Sequence, residues 1–189
     1  ILTQKEVFKQ KDELEKISKF ILFIKNYKTC FLRSEAYGHL TSSAFILSPC
    51  REKVLLTLHK KLGRWLQLGG HADGCASPEK TAMQEACEES GLLKLKFLES
   101  PEKSSTKKSF HLPFDLDIHK IPANKKENSH LHFDLRYLIL AEEGEKIICS
   151  DESDDLRWFS FSELKTLDID QSILRMSEKY QKLKSSSLV

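Results

Sequence analysis

Gly69-Gly70-His71-Ala72-Asp73-Gly74-Cys75-Ala76-Ser77-Pro78-Glu79-Lys80-Thr81-Ala82-Met83-Gln84-Glu85-Ala86-Cys87-Glu88-Glu89-Ser90-Gly91-Leu92 is the stretch on which the reading of this chain turns. It predicts a loop followed by a helix. Ser77 stands where an N-cap belongs, Pro78 suits the first helical position, and Ser90-Gly91 supplies a C-terminal stop. At 100° per residue Glu85, Glu88 and Glu89 fall at i, i+3 and i+4 and share one stripe, while Ala82, Met83, Ala86 and Cys87 form another. Like charges at these spacings repel by a few tenths of a kcal/mol unless something neutralises them. A divalent cation does so, and magnesium, with manganese as the alternative, prefers such hard oxygen ligands and binds jointly to carboxylates and phosphates. Such an ion polarises a phosphoryl oxygen and activates water.

Before this stretch, residues 43–47, 54–59 and 65–68 read as short strands separated by turn-prone Ser48-Pro49 and Gly63. Earlier still, Val7, Phe8, Leu14, Ile17, Phe20, Ile21 and Ile24 recur at helical spacing, so residues 3–28 are expected to form one or two amphipathic helices, whose apolar surface suits a homodimer. Beyond the stretch, strands are predicted at 95–98, 113–121, 131–140 and 156–159, with helices at 162–167 and 172–183. Strands 113–121 and 131–140 are expected to form a hairpin, and the Lys/Ser-rich segment 103–109 reads as an exposed loop. The fold expected is an α/β/α sandwich around a mixed sheet, with a helical extension over residues 1–36 and the main domain over 37–189.

The stretch Gly70 to Leu92 resembles the Nudix box, G-x5-E-x7-R-E-U-x-E-E-x-G-U with U aliphatic, and preserves its spacing throughout. Ala76 stands at the box Glu and Gln84 at the box Arg; Gln84 can still donate a hydrogen bond to a neighbouring carboxylate. The run from Leu58 to Gly70 is similar to the strand and turn that precede the box, and the run from Leu156 to Leu164 to the family's closing strand and helix, so the resemblance covers roughly residues 39–166. It implies that Glu85, Glu88 and Glu89 bind metal, and that one of them takes a proton from the attacking water. It also implies cleavage of a nucleoside diphosphate linked to another group, or of a related organic pyrophosphate. Because Ala76 and Gln84 replace charged groups, the alternative is a Nudix-like binding or regulatory module without turnover.

A second constellation follows from period-two alternation. His130, His132, Asp134 and Arg136 share one face of a strand, and Asp115, Asp117 and His119 share a face of its partner, with His71 and Asp73 within reach from the loop. This face is either solvated or functional: it would contact substrate phosphate, act as a base, or bind a second metal through His and Asp. Arg64, His71, His130, His132, Asp134 and Arg136 are the candidate substrate contacts. Lys60 and Lys61 beside Arg64 read as a solvated turn that could also hold phosphates. Trp65 and Trp158 read as core or pocket-wall residues, and His39, His59 and His111 as incidental.

Composition bounds the rest. In 189 residues, 30 basic and 28 acidic side chains are well mixed, giving a net charge of +2 and no electrostatic footprint for nucleic acid. No apolar run of 18 residues exists to span a membrane. The five scattered cysteines lack a C-x-x-C pair and read as free thiols. The chain starts at Ile1, as a trimmed product would, and shows no charged leader. A cytoplasmic protein acting on a small phosphorylated, nucleotide-like substrate is therefore expected.

Overall fold

A computed structural model describes residues 4–98, 111–125 and 127–186; the segment 103–109 lies outside them. One helix, α1 (Gln4–Asn26), precedes the sheet. The strands are β1 (Gly38–Leu47), β2 (Lys53–His59), β3 (Arg64–Leu66), β4 (Leu68–His71), β5 (Leu95–Phe97), β6 (Asp115–Ile121), β7 (His130–Ala141) and β8 (Ser153–Ser160). Helix α2 (Pro78–Ser90) follows β4, and α3 (Phe161–Leu164) and α4 (Gln171–Ser185) end the fold.

The sheet is mixed. β1 runs parallel to β7 along its whole length, Gly38 opposite Leu131 through Leu47 opposite Leu140, and antiparallel to β2 and β4. β7 also carries β6 and β5 antiparallel, and β2 carries β3 and β8. A strand paired on both sides and covered on both faces is buried at every position, as β1 is. Successive residues point to opposite faces, so Ala44 and Ile46 of β1 pack with Ala82 and Ala86 of α2, whereas Phe45 and Leu47 pack with Ile173, Met176 and Tyr180 of α4. The α/β/α sandwich is thus present.

Two local differences from expectation have physical causes. The single strand predicted at 65–68 is two: β3 pairs with β2, and β4 crosses to β1 and continues through Gly69 and Gly70. Helix α1 is the expected N-terminal extension, a single helix that packs on the sheet. Phe20 and Phe23 are buried against Leu40, Ala72 and Phe133, and Phe23 stacks on Phe133 with centroids 3.8 Å apart. Leu14, Ile21 and Leu22 remain exposed on the same helix. Ser77 occupies the N-cap position of α2 without capping it, because its hydroxyl donates to Glu79 Oε1 at 2.6 Å instead. The far end stops as expected: Gly91 takes φ 69° and its N–H donates to Cys87 O.

Candidate active site

β4 and α2 together build the carboxylate centre. Ala82 and Ala86 are small enough for the helix to lie close to the sheet, which brings the acid stripe onto the two glycines of β4. Glu89 Oε2 accepts the Gly69 N–H at 3.0 Å. Glu85 lies so close over Gly70 that a Cβ on that residue would collide with its carboxyl group. Gln84 Nε2 donates to Glu88 Oε1 at 2.8 Å, so the neutral residue at the box Arg position still steadies a carboxylate.

The electrostatics of the stripe are those of unneutralised acids. Burial pushes the Glu89 carboxyl up to about 7, the Gly69 N–H opposing and the Glu85 charge adding to the rise. Burial, then the charge of Glu88, raises Glu85. Among the described residues no lysine or arginine forms an ion pair with any of the three. Three carboxylates on one helix face, two of them set against the glycines of β4 and none in an ion pair among the described residues, suit a hard divalent cation.

The loop between β4 and α2 is pinned from outside. Arg33 makes a bidentate pair with Asp73, Nε to Oδ1 at 2.6 Å and Nη2 to Oδ2 at 2.7 Å. Gly74 N donates to Phe31 O. Asp73, expected beside the histidines, is therefore held by Arg33 at the surface.

The second constellation is assembled, but it is buried rather than solvated. Asp134 and Arg136 are each 2% exposed. Asp134 accepts from Thr41 and Ser43 of β1, and Arg136 Nε donates to Asp134 Oδ2 at 2.8 Å while its Nη2 lies 3.2 Å from Asp117. Arg175 of α4 pairs with Asp115 and Asp117 from above. Burial alone would raise the Asp117 carboxyl, yet His119, Arg136 and Arg175 together bring it below the ordinary carboxylate range. These charged groups lock β1, β6, β7 and α4 to one another.

At the end of the same face His71, His130 and His132 come together, joined by His39, which the sequence marked as incidental. His39 lies opposite His132 in the β1–β7 register, and their Nε2 atoms are 3.1 Å apart. The alternation pattern found the β7 histidines; nothing local pointed to the strand beside them. Burial, followed by the nearby Arg33 charge, lowers His71 to about 4. Burial, then His71, His119, His39 and His130, lowers His132 to about 2.

Arg64 stands exposed at the start of β3, opposite His59 in register. Lys60 Nζ donates to Asp151 O at 3.3 Å. His59 Nδ1 accepts from Lys61 N, and His111 stacks on Phe97. Trp65 meets Phe159 edge-on, and Trp158 packs at the margin of the α2-side core. All five cysteines are free, and among the described residues no helix is long and apolar enough to cross a membrane.

A mixed sheet between helical layers, with an acid-striped helix seated on a Gly-Gly strand, is the architecture of a Nudix-type hydrolase. The chain belongs to that family: the model of the NUDIX domain matches residues 39–180. Among solved structures, a NUDIX-family hydrolase from Clostridium perfringens is similar at 26% identity and TM-score 0.61, over 77% of this chain and 97% of that one. The C. elegans Ap4A hydrolase, as a binary complex, matches at 14% identity and TM-score 0.56, over 78% and 98% of the two chains. The NUDIX domain of Shewanella oneidensis NrtR, complexed with ADP ribose, matches at 14% and 0.51, over 86% and 96%. At these lower identities the likeness is one of fold. No curated protein matches the chain in sequence.

Proposed function

We propose that the chain hydrolyses a phosphoanhydride bond in a nucleoside diphosphate derivative or a related organic pyrophosphate, with magnesium held by Glu85, Glu88 and Glu89. The observation that carries this reading is the seat on β4, where Gly69 bonds Glu89 and Gly70 leaves room for Glu85 alone. Bound there, magnesium would polarise a phosphoryl oxygen and lower the pKa of a water. The residues around it do the rest. The three carboxylates orient the water and one of them receives its proton. The bridging P–O bond then breaks, giving two phosphate-ended products and one proton. Positioning and charge stabilisation are the main demands of such a transfer. The likenesses to an Ap4A hydrolase and to an ADP-ribose-bound domain support a nucleotide-like substrate. Arg64 and the imidazole face that starts at His71 are the proposed substrate-side groups. Asp134 and Arg136, buried on each other, are proposed to act by holding that face in place.

The test is a panel of nucleoside triphosphates, dinucleoside polyphosphates, ADP-ribose, NADH and sugar nucleotides, assayed with magnesium or manganese. Metal-dependent release of phosphate, pyrophosphate or nucleoside monophosphate is expected from at least one of them. Glu88→Gln should lower that rate by roughly 100-fold or more. An active Glu88→Gln enzyme would move the centre elsewhere, and silence across the panel would favour a binding module.

A further inference from the structure

Five imidazoles meet on the face of the sheet that looks toward α4. Gly70 and His71 are neighbours on β4 whose directions alternate, so Glu85 is seated over the strand at Gly70 while the histidines gather beside its last residue, and the Arg33 charge acts on both Glu85 and His71. In register, His39, His132 and His119 lie side by side on β1, β7 and β6. His130 is two residues from His132 and shares its face. The His39 ring centroid is 4.8 Å from those of His130 and His132 and 5.0 Å from that of His71. One ligand nitrogen from each of His39, His130 and His132 lies within 4.8 Å of the other two.

Hydrogen bonding within the protein does not account for this packing. A neutral imidazole offers one N–H and one lone pair. The facing Nε2 atoms of His39 and His132 use one donor between them. His39 Nδ1 is buried with no partner, and the Glu35 backbone, which acts only weakly on the ring, is outside hydrogen-bond geometry. His39 itself is 97% buried, since only 3% of it is exposed. Glu127 acts on His39 and His71 through its charge, with no hydrogen bond to either ring. Asp134 is committed to Thr41, Ser43 and Arg136, and Asp117 to His119, Arg136 and Arg175. With so few donors around them, the lone pairs left on these rings suit a metal ion, which takes electron pairs.

We propose that His39, His130 and His132 form a binding site for a borderline divalent transition-metal ion of the zinc type, separate from the carboxylate centre. Zinc binds imidazole nitrogen at about 2.0–2.1 Å, so two ligands in a tetrahedral site stand about 3.4 Å apart. His39 Nε2 and His132 Nε2, at 3.1 Å, already have nearly that spacing. His130 carries the outer support such ligands have: its Nδ1–H donates to the Asn128 carbonyl at 2.8 Å, which fixes the ring and leaves Nε2 to bind. Imidazole donors suit zinc, iron, cobalt, nickel or copper, whereas magnesium takes oxygen. The two centres would therefore sort ions by ligand chemistry. Three protein ligands leave a fourth position open, bordered by His71 and His119.

The inference goes beyond the hydrolytic reading, and its test uses no substrate. The full chain is stripped with chelator and titrated with cobalt in excess magnesium. One equivalent should bind with visible d–d bands, and one equivalent of zinc should displace it. The double variant Glu85→Gln/Glu88→Gln should behave as the wild type does. His130→Asn and His132→Asn should weaken binding by roughly 100-fold or more, with the unfolding midpoint of the metal-free protein showing whether each variant folds. If His132→Asn does not fold, His130→Asn decides together with the X-ray absorption of wild-type cobalt protein, where imidazole scattering is expected. Absence of cobalt and zinc binding in excess magnesium would overturn the proposal. So would binding that the glutamate variant abolishes, or that the histidine variants leave unchanged.

Discussion

A methyl group on Gly70 would have to share space with the carboxyl group of Glu85. What it meets is the end of a flexible side chain rather than backbone, so Gly70→Ala is expected to fold with a near-normal Tm while Glu85 swings away. A displacement of that size in a reacting site costs on the order of 100-fold in rate. The measurement is kcat/KM beside a thermal melt; a large loss of Tm, or unchanged activity, would remove Gly70 from its role as the seat. Glu89 gives a second prediction. In the unfolded chain its proton leaves near the ordinary carboxyl value, but burial holds it in the fold to about 7. Between those values the folded state binds more protons, so in chelator this group makes the protein less stable as pH rises through the window, with no further loss above it. The effect is on the order of 3–4 kcal/mol. Metal-free Glu89→Gln should match the wild type in urea melts at pH 5 and exceed it at pH 8. Equal midpoints at both values would mean that Glu89 is solvated. At this scale the sequence was most informative about the acid stripe, because i, i+3 and i+4 spacing is a local property of one helix. That Gly69 and Gly70 seat those acids depends on a strand crossing to β1, which no local pattern carries.

The elements are joined by charge as well as by apolar packing. Asp134 of β7 bonds Thr41 and Ser43 of β1, and Arg136 of β7 reaches Asp117 of β6, which Arg175 of α4 also holds. Removing one partner from a buried ionic group strands the other, at a cost of about 3–5 kcal/mol. Asp134→Ala is therefore expected to lose stability of that order in urea, through Arg136 left without its nearest carboxylate. A variant of unchanged stability but raised KM would show instead that the pair reaches substrate. Alternation made this face legible as polar and its hairpin partner identifiable, since β6 and β7 are neighbours in sequence. Its burial and its third strand were not legible. β1 joins β7 in parallel, with His39 93 residues from His132, and the pairing of distant segments leaves no spacing to read. His39 consequently looked incidental until the strands were laid side by side.

For the molecule as a whole, the buried core reaches beyond the family match. The NUDIX match starts at residue 39, after α1 has ended at Asn26. Helical periodicity located that helix but left open whether it touches the domain, because the same apolar stripe serves a core or a second copy equally well. In the structure Phe20 and Phe23 are nearly inaccessible, and Phe133, Leu40 and Ala72 are buried beneath them. Phe133 sits on β7 between His132 and Asp134, and Leu40 on β1 between His39 and Thr41. The helix therefore covers the reverse side of the strands that carry the imidazoles. Truncating a buried phenylalanine costs about 3–5 kcal/mol, and two such losses approach the 5–15 kcal/mol that stabilises an ordinary domain. A chain beginning at residue 37 is expected to lose cooperative unfolding and to bind a hydrophobic dye, although every residue of the Nudix box remains. Phe23→Ala in the full chain should show part of the same effect, lowering Tm by roughly 6–20 °C at 2–4 °C per kcal/mol. Calorimetry of the two proteins decides: a shortened chain that melts cooperatively within a few degrees of the full one would make α1 an appendage after all.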